Sequence, residues 1–397
     1  MAKRDIFQGA KNIENVVFSR IRIISEHSKD LAAMGRDIVF FTLGEPDFNT
    51  PESIKRETIK AIENNFTHYN YNRGLLTLRK EIVKKIERET GISYDPETEI
   101  ILTSSGAEAI NNALLGVLDE GDEVIIFTPA FMNYANVARI VGAVPIEVPL
   151  RKENGYRIDF EELESKITEK TKLVILNDPG NPSGVVCDRE TLERLADIII
   201  KHNLLIFTDE MYNNLVYDGK KAISIASLPG MKERTIMMNG FSKTYAMTGW
   251  RLGYLALDER LLVPVLKVHQ YSTTCAPTFI QEGLVHSMNL PETLKEVDYM
   301  VKTFEERRNI VMKWMQKIPK LSCIKPEGAF YLLIDVSGTG ISGEEFATRI
   351  LEEKGVALIP GETFGADYKD YVRISYATAT DRIEEGMKRL KEFTESL

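Results

Sequence analysis

Residues 172–209, KLVILNDPGNPSGVVCDRETLERLADIIIKHNLLIFTD, spell a strand, a helix and a second strand. KLVILN (172–177) and LLIFTD (204–209) are apolar on both faces, the mark of strands buried inside a sheet. Between them, Asp188 to His202 has helical spacing, with Asp188 placed to cap the first turn and Asn203 to turn the chain. Similar runs recur outward from this unit at Glu99–Ser104, Glu123–Thr128, Thr235–Asn239 and Leu252–Leu257, and Gly106–Leu118 is helical. Strands alternating with helices predict an α/β fold whose mainly parallel sheet is covered on both faces. In such folds ligands lie beyond the carboxyl ends of the strands, and the polar residues cluster there.

The pattern changes past Pro291. Glu292–Lys317 is a long amphipathic stretch in which Val297, Met300, Val301, Phe304, Ile310, Val311 and Trp314 share a face, predicting a linking helix. Strands at Ala329–Val336, around Val356–Ile359 and at Tyr371–Tyr376, with helices at Gly343–Lys354 and from Thr380, then predict a small α+β unit. At 397 residues and 43% hydrophobic the chain buries a sizeable core. Against 50 Lys+Arg stand 59 Asp+Glu, with no basic stripe, which excludes a nucleic-acid partner. Cys187, Cys275 and Cys323 lie far apart, so neither a disulfide framework nor a thiolate metal site is expected. No apolar leader or membrane-length run is present, and a cytoplasmic protein is expected.

The chemistry gathers around NGFSKTYAMTGWRLGY (239–254). Lys243 stands among small, hydroxyl and aromatic residues, with Arg251 eight positions on. Desolvation and a cationic neighbour favour the neutral amine that attacks carbonyls, whereas a lysine taken singly reads as a solvated surface residue. Upstream, Asp209 and Tyr212 end an apolar strand; a carboxylate there holds a pyridinium nitrogen protonated and a phenol reaches a ring hydroxyl, the partners of a pyridoxal phosphate ring. The bland reading of Asp209 is a helix cap. In NDPGNPSG (177–184) two prolines and two glycines present the Asn181 amide to a cleft or merely form a turn. The N–H groups of Ser105, Gly106 and Ala107 begin a helix and suit a phosphate, with Arg251 as a forked donor; alternatively Ser105 and Glu108 form a capping box. Phe131 follows a strand and is placed to stack on a flat ring or to join the core.

Together GEPDF (44–48), TSSGAEA (103–109), TPAFMNY (128–134), NDPGNPSG (177–184), TDEMY (208–212), NGFSKTYAMTGWRLGY (239–254), PEGAFY (326–331) and VRISYAT (372–378) resemble the class I/II, fold-type I pyridoxal-phosphate-dependent aminotransferases, nearest the aspartate and aromatic branch. The resemblance implies a large domain with a mainly parallel seven-stranded sheet sandwiched by helices (residues 49–290). A linking helix and smaller α+β domain (291–397) follow, and residues 1–48 belong to the small domain. It implies that Lys243 joins the aldehyde of pyridoxal 5'-phosphate, Asp209 pairs with the ring nitrogen, Tyr212 and Asn181 bond the ring oxygen, and Phe131 stacks. Ser105, Gly106, Ala107 and Arg251 hold the phosphate, with Tyr69 crossing from the partner of a homodimer. Arg373 clamps the substrate α-carboxylate, helped by Asn181 and Gly44, and a planar fork suits that task better than lysine. Transamination between an L-amino acid of aspartate or aromatic type and a 2-oxo acid such as 2-oxoglutarate, by a ping-pong cycle, is the expected reaction.

Two positions depart from the best-known pattern. Gly240 replaces a phosphate-binding serine, leaving Ser242 as the alternative, and Ala107 replaces a lysine that selects acidic substrates in some bacterial enzymes. Arg20 and Arg22 either supply that selectivity or are surface charges. GTGISG (338–343) matches the dinucleotide fingerprint, but too little chain follows for that fold, so it reads as a flexible strand-to-helix loop. SCIK (322–325) lacks the companion motifs of penicillin-recognising hydrolases, and the five histidines show no ligand spacing. A β-lyase or decarboxylase on the same scaffold is the second functional class, and a non-catalytic sensor the third.

Overall fold

The computed structural model describes Phe7 and residues 9–397. Its strands, in chain order, are β1 (Val39–Phe40), β2 (Ile100–Thr103), β3 (Glu123–Thr128), β4 (Val144–Pro149), β5 (Thr171–Asn177), β6 (Leu205–Asp209), β7 (Thr235–Gly240), β8 (Gly253–Ala256), β9 (Ser322–Cys323), β10 (Tyr331–Asp335), β11 (Val356–Ala357), β12 (Ile359–Pro360) and β13 (Tyr371–Ser375). A seven-stranded sheet runs in the order β2-β8-β7-β6-β5-β3-β4. Only β8 is antiparallel to its neighbours, so β2, β3, β5, β6 and β7 point their carboxyl ends the same way. Ile100–Thr103 and Val124–Thr128 are buried throughout, as strands covered on both faces must be.

The predicted helices form at Gly106–Val117 and Arg189–Lys201, the second capped by Asp188, whose side chain accepts from the Thr191 N–H. Asn203 turns the chain with φ +52°. The long helix spans Pro291–Met315 with proline in its first turn. Met300, Phe304 and Val311 are buried on it as expected, and so are Arg307 and Arg308, which the apolar pattern did not include. Each is accommodated by an acid: Arg307 grips Asp47 with bonds of 2.6 and 2.9 Å, and Arg308 grips Asp218 with bonds of 2.9 and 3.0 Å.

The small unit is a four-stranded sheet in the order β12-β13-β10-β9, joined by helices Gly343–Lys354 and Thr380–Ser396. Near the other end of the chain, β1 pairs in parallel with β11, and the helix Arg20–Ala33 packs on β11 and β12. The strand expected around Val356–Ile359 is two short strands, β11 and β12, that serve different sheets. The 338–343 loop leads from β10 to the helix Gly343–Lys354 and makes close backbone contacts at its two end glycines, while Gly340 between them is exposed with nothing near it. A Cβ on Gly338 would sit 2.4 Å from the Lys320 carbonyl oxygen and one on Gly343 2.0 Å from that of Tyr371.

Candidate active site

Beyond the carboxyl ends of β2, β5, β6 and β7 lies a cavity of about 270 Å³. It brings together Gly44, Ser105, Gly106, Ala107, Phe131, Asn181, Asp209, Tyr212, Ser242, Lys243, Arg251 and Arg373. Tyr69 is not among its walls; the side chain stands 86% exposed on the surface.

Lys243 follows the end of β7, and its ammonium donates to the carbonyl oxygen of Gly44. Burial pushes its pKa down to about 8, against the pull of Glu45 and Asp209 and with help from Arg251 and Arg373. Asp209, the last residue of β6, is buried, and its carboxyl accepts from the Tyr134 phenol at 2.6 Å and the Met211 N–H at 3.1 Å. Burial raises its pKa to about 6, with those hydrogen bonds and Lys243 opposing the rise. It therefore ends a strand and faces the cavity rather than capping a helix.

The Tyr212 and Tyr331 hydroxyls meet at 2.8 Å. Arg373, on β13, is buried; it donates to Asn181 Oδ1 at 3.2 Å and to the Thr42 carbonyl at 2.8 Å, while its Nε has no partner. Burial presses its pKa below the ordinary arginine value. The Asn181 loop is braced by Asn177, whose amide oxygen accepts from the Asn181 N–H at 2.8 Å and whose amide nitrogen donates to the Asp209 carbonyl at 3.0 Å.

The helix Gly106–Val117 opens onto the cavity, and its first-turn N–H groups at Gly106 and Ala107 are available to an anion. Ser105 departs from expectation. Its N–H is engaged by the Thr103 carbonyl at 2.9 Å, its φ is +94°, and its hydroxyl caps nothing. The capping box does not form because Glu108 is drawn elsewhere, to the Ser104 N–H, to His269 Nδ1 at 2.8 Å and to Thr273 at 3.0 Å. Gly240 does not line the cavity; it pairs with Gly253, whose Cα would lie 3.1 Å from any Cβ placed there, while Ser242 is a wall residue.

Arg20 is tied to Glu344 at 2.7 Å and Glu362 at 3.2 Å, Arg22 is exposed, and neither lines the cavity; Ile21 between them does. Tyr134, Tyr331, Ile21 and Thr42 were not singled out as site residues. Tyr134 and Tyr331 lie within the TPAFMNY and PEGAFY motifs. Phe131 precedes the helix Asn133–Ile140 and its carbonyl accepts from the Tyr134 N–H at 3.2 Å, a turn that brings the two rings together at 5.8 Å. Among the described residues no group of three His, Cys, Asp or Glu side chains is placed to hold a metal, and no helix is long and apolar enough to cross a membrane.

Residues 36–390 match the family model for aminotransferase class I and II. The chain belongs to this family. The aminotransferase is 42% identical over 363 residues to aromatic-amino-acid aminotransferase 2 of Thermococcus litoralis, spanning 91% of this chain and 93% of the relative. It is 41% identical, with the same coverage, to an aspartate aminotransferase of Pyrococcus abyssi. The crystal structure of an aromatic aminotransferase from Pyrococcus horikoshii superposes with a TM-score of 0.89 at 40% identity, covering 93% of this chain and 99% of the other. The aminotransferase thus has the fold-type I architecture and sits in the aspartate and aromatic branch of a pyridoxal-phosphate-dependent family.

Proposed function

We propose that this cavity holds pyridoxal 5'-phosphate and exchanges amino groups between an L-amino acid and a 2-oxo acid such as 2-oxoglutarate in a ping-pong cycle, in the cytoplasm. One observation carries the reading: a lysine amine with a depressed pKa, a buried acid without a paired cation and a buried arginine with an orphaned Nε share one cavity. The donor set fits the cofactor. Lys243 offers the amine for its aldehyde, Asp209 the charge for its ring nitrogen, Tyr212 and Asn181 the partners of its ring oxygen, and Phe131 a face. Gly106, Ala107, Ser105, Ser242 and Arg251 surround the place for its phosphate. When bound, the cofactor supplies an electron sink for the carbanion left at the substrate's α-carbon.

The chain's own residues do the rest. Arg373 binds the α-carboxylate, with Asn181 and the Gly44 backbone fixing its angle. With the cofactor bound, Lys243 as a neutral amine would accept the proton from the substrate's α-carbon as general base and give it up again as general acid. We assign residues 49–290 to the large domain and residues 9–48 with 291–397 to the small one, the first residues of the expected 1–48 segment lying outside the described ones, so the cavity receives Lys243 from the first and Arg373 from the second. A homodimer, in which Tyr69 of each subunit reaches the other's phosphate, accounts for the exposure of Tyr69 and of Tyr271 at 87%.

The donor is of aspartate or aromatic type, and the walls favour the aromatic class. The cations among them are Lys243, Arg251 and Arg373, of which only Arg373 is left for substrate, while Ile21, Ile110, Phe131 and Tyr134 supply apolar surface. A panel of tyrosine, phenylalanine, aspartate and alanine against 2-oxoglutarate and pyruvate, following 2-oxo acid release, tests this. Aromatic donors are expected to react fastest. Faster aspartate would overturn the preference, and release of ammonia or carbon dioxide in place of exchange would overturn the transaminase reading.

A further inference from the structure

A second cavity, of about 330 Å³, lies behind the segment that carries Asp209 and Tyr212. Its walls come from the end of the helix Leu76–Thr90, from the turn after β6, and from the loop 220–224. The walls are divided by charge. Glu210 is buried with only hydroxyl partners, Ser224 at 2.6 Å and Thr208 at 3.4 Å, and meets no paired cation. Beside it the amide oxygen of Asn213 is buried without a donor, and the carbonyl end of the helix at Thr90 adds partial negative charge. At the exposed mouth stand Arg88, which faces Glu89 at 3.6 Å and donates to Asn289 at 3.2 Å, Lys220, which is paired with Glu327, and Lys221, which among the described residues pairs with no carboxylate. Glu89, also a wall residue, is itself held by Lys85 at 2.7 Å. A buried acceptor left without a donor, as the Asn213 oxygen is, costs free energy unless something fills it, and cations around a buried acid favour a molecule carrying both charges.

We propose that this cavity is a second small-molecule site for a free zwitterionic amino acid, its ammonium group on Glu210 and Asn213 and its carboxylate on Lys221 and Arg88. One side chain links this cavity to the segment that carries Lys243. Asn214, another wall residue, accepts from the Thr244 hydroxyl at 3.2 Å and from Lys85 at 3.3 Å, and donates to Glu89 at 3.3 Å. Thr244 is the chain neighbour of Lys243, so an occupant whose ammonium group sits on Asn213 and also shifts the adjoining wall residue Asn214 alters the setting of the lysine. This coupling rests on the role given to Lys243 above, whereas the binding does not.

The test uses 2-methylalanine, a zwitterion with no hydrogen on its α-carbon, which transamination cannot consume. Calorimetry on the holoenzyme is expected to show binding with a Kd on the order of 1 mM. Lys221→Ala, a surface change, weakens it roughly fivefold; Glu210→Gln abolishes it; Arg373→Ala leaves it intact. Absence of binding, or binding lost only in Arg373→Ala, would show that the probe finds no second site. Binding of inorganic phosphate but not of 2-methylalanine would overturn the zwitterion. In wild type, kcat at saturating donor shifts with the probe and in Lys221→Ala it does not; a constant wild-type kcat would overturn the coupling while leaving the site.

Discussion

The Tyr134 phenol donates to Oδ2 of Asp209 across 2.6 Å, and both side chains are buried. That bond is one of the forces holding the Asp209 pKa down against burial. Tyr134→Phe removes it without opening much space, so the pKa of Asp209 rises above about 6 and less carboxylate is present at neutral pH. We expect kcat/KM at pH 7 to fall roughly tenfold, the worth of a hydrogen bond to a charged acceptor. The acidic limb of its pH profile is expected to move upward. A fall with an unmoved limb would mean that Tyr134 only fills volume.

Lys243 must be neutral to attack an aldehyde, and its pKa lies near 8. The rate at which cofactor-free protein takes up pyridoxal phosphate covalently should therefore climb with pH and level off above about 8. Glu45 raises that pKa, and its carboxylate is held by Thr248 at 2.9 Å. In Glu45→Gln the midpoint of the climb is expected at lower pH, because one stabiliser of the charged amine is gone. Stopped-flow absorbance at a series of pH values measures both.

The residues most exposed by their neighbours in sequence were the easiest to read. Six of the seven strands of the large sheet show as apolar runs, because burial on both faces leaves no polar alternation. The seventh, β4, did not: it is an edge strand, with Val144 and Glu147 exposed and prolines at 145 and 149, which edges tolerate and interiors do not. Lys243, Asp209 and Asn181 were legible because Asp209 ends a strand and the other two lie within four residues of a strand end. The Tyr134–Asp209 bond joins residues 75 positions apart, and only the docking of one helix on the sheet brings them together. Nor does the sequence announce the left-handed backbone of Ser105, which no glycine or asparagine marks.

Arg373 binds Asn181 and the Thr42 carbonyl through its two terminal nitrogens, and its ring contacts, 4.5 Å to Tyr331 and 5.0 Å to Phe364, fix the plane of the guanidinium. Lysine in its place keeps the charge but loses the fork and the stacking. For Arg373→Lys we expect KM for the amino donor to rise on the order of a hundredfold, the worth of two charge-assisted hydrogen bonds, with a much smaller change in kcat. Steady-state kinetics with saturating 2-oxo acid separate the two. A collapse of kcat at unchanged KM would place the arginine's role in the chemical step instead.

Asp209 is costly to the protein that carries it. Its carboxyl titrates near 6 when folded against 3.8 ordinarily, so the folded, cofactor-free chain holds the proton more tightly than the unfolded one. Stability is then lost as pH rises from about 4 through 6, and at pH 7 the penalty is on the order of 3 kcal/mol. Asp209→Asn removes the charge yet keeps an oxygen for the Tyr134 phenol. Cofactor-free Asp209→Asn is therefore expected to melt a few degrees above wild type at pH 7 and level with it near pH 4, while transamination is lost. Calorimetric Tm values at the two pH values decide the matter: a variant no more stable at pH 7 would mean that Asp209 is not held there as an uncompensated buried charge.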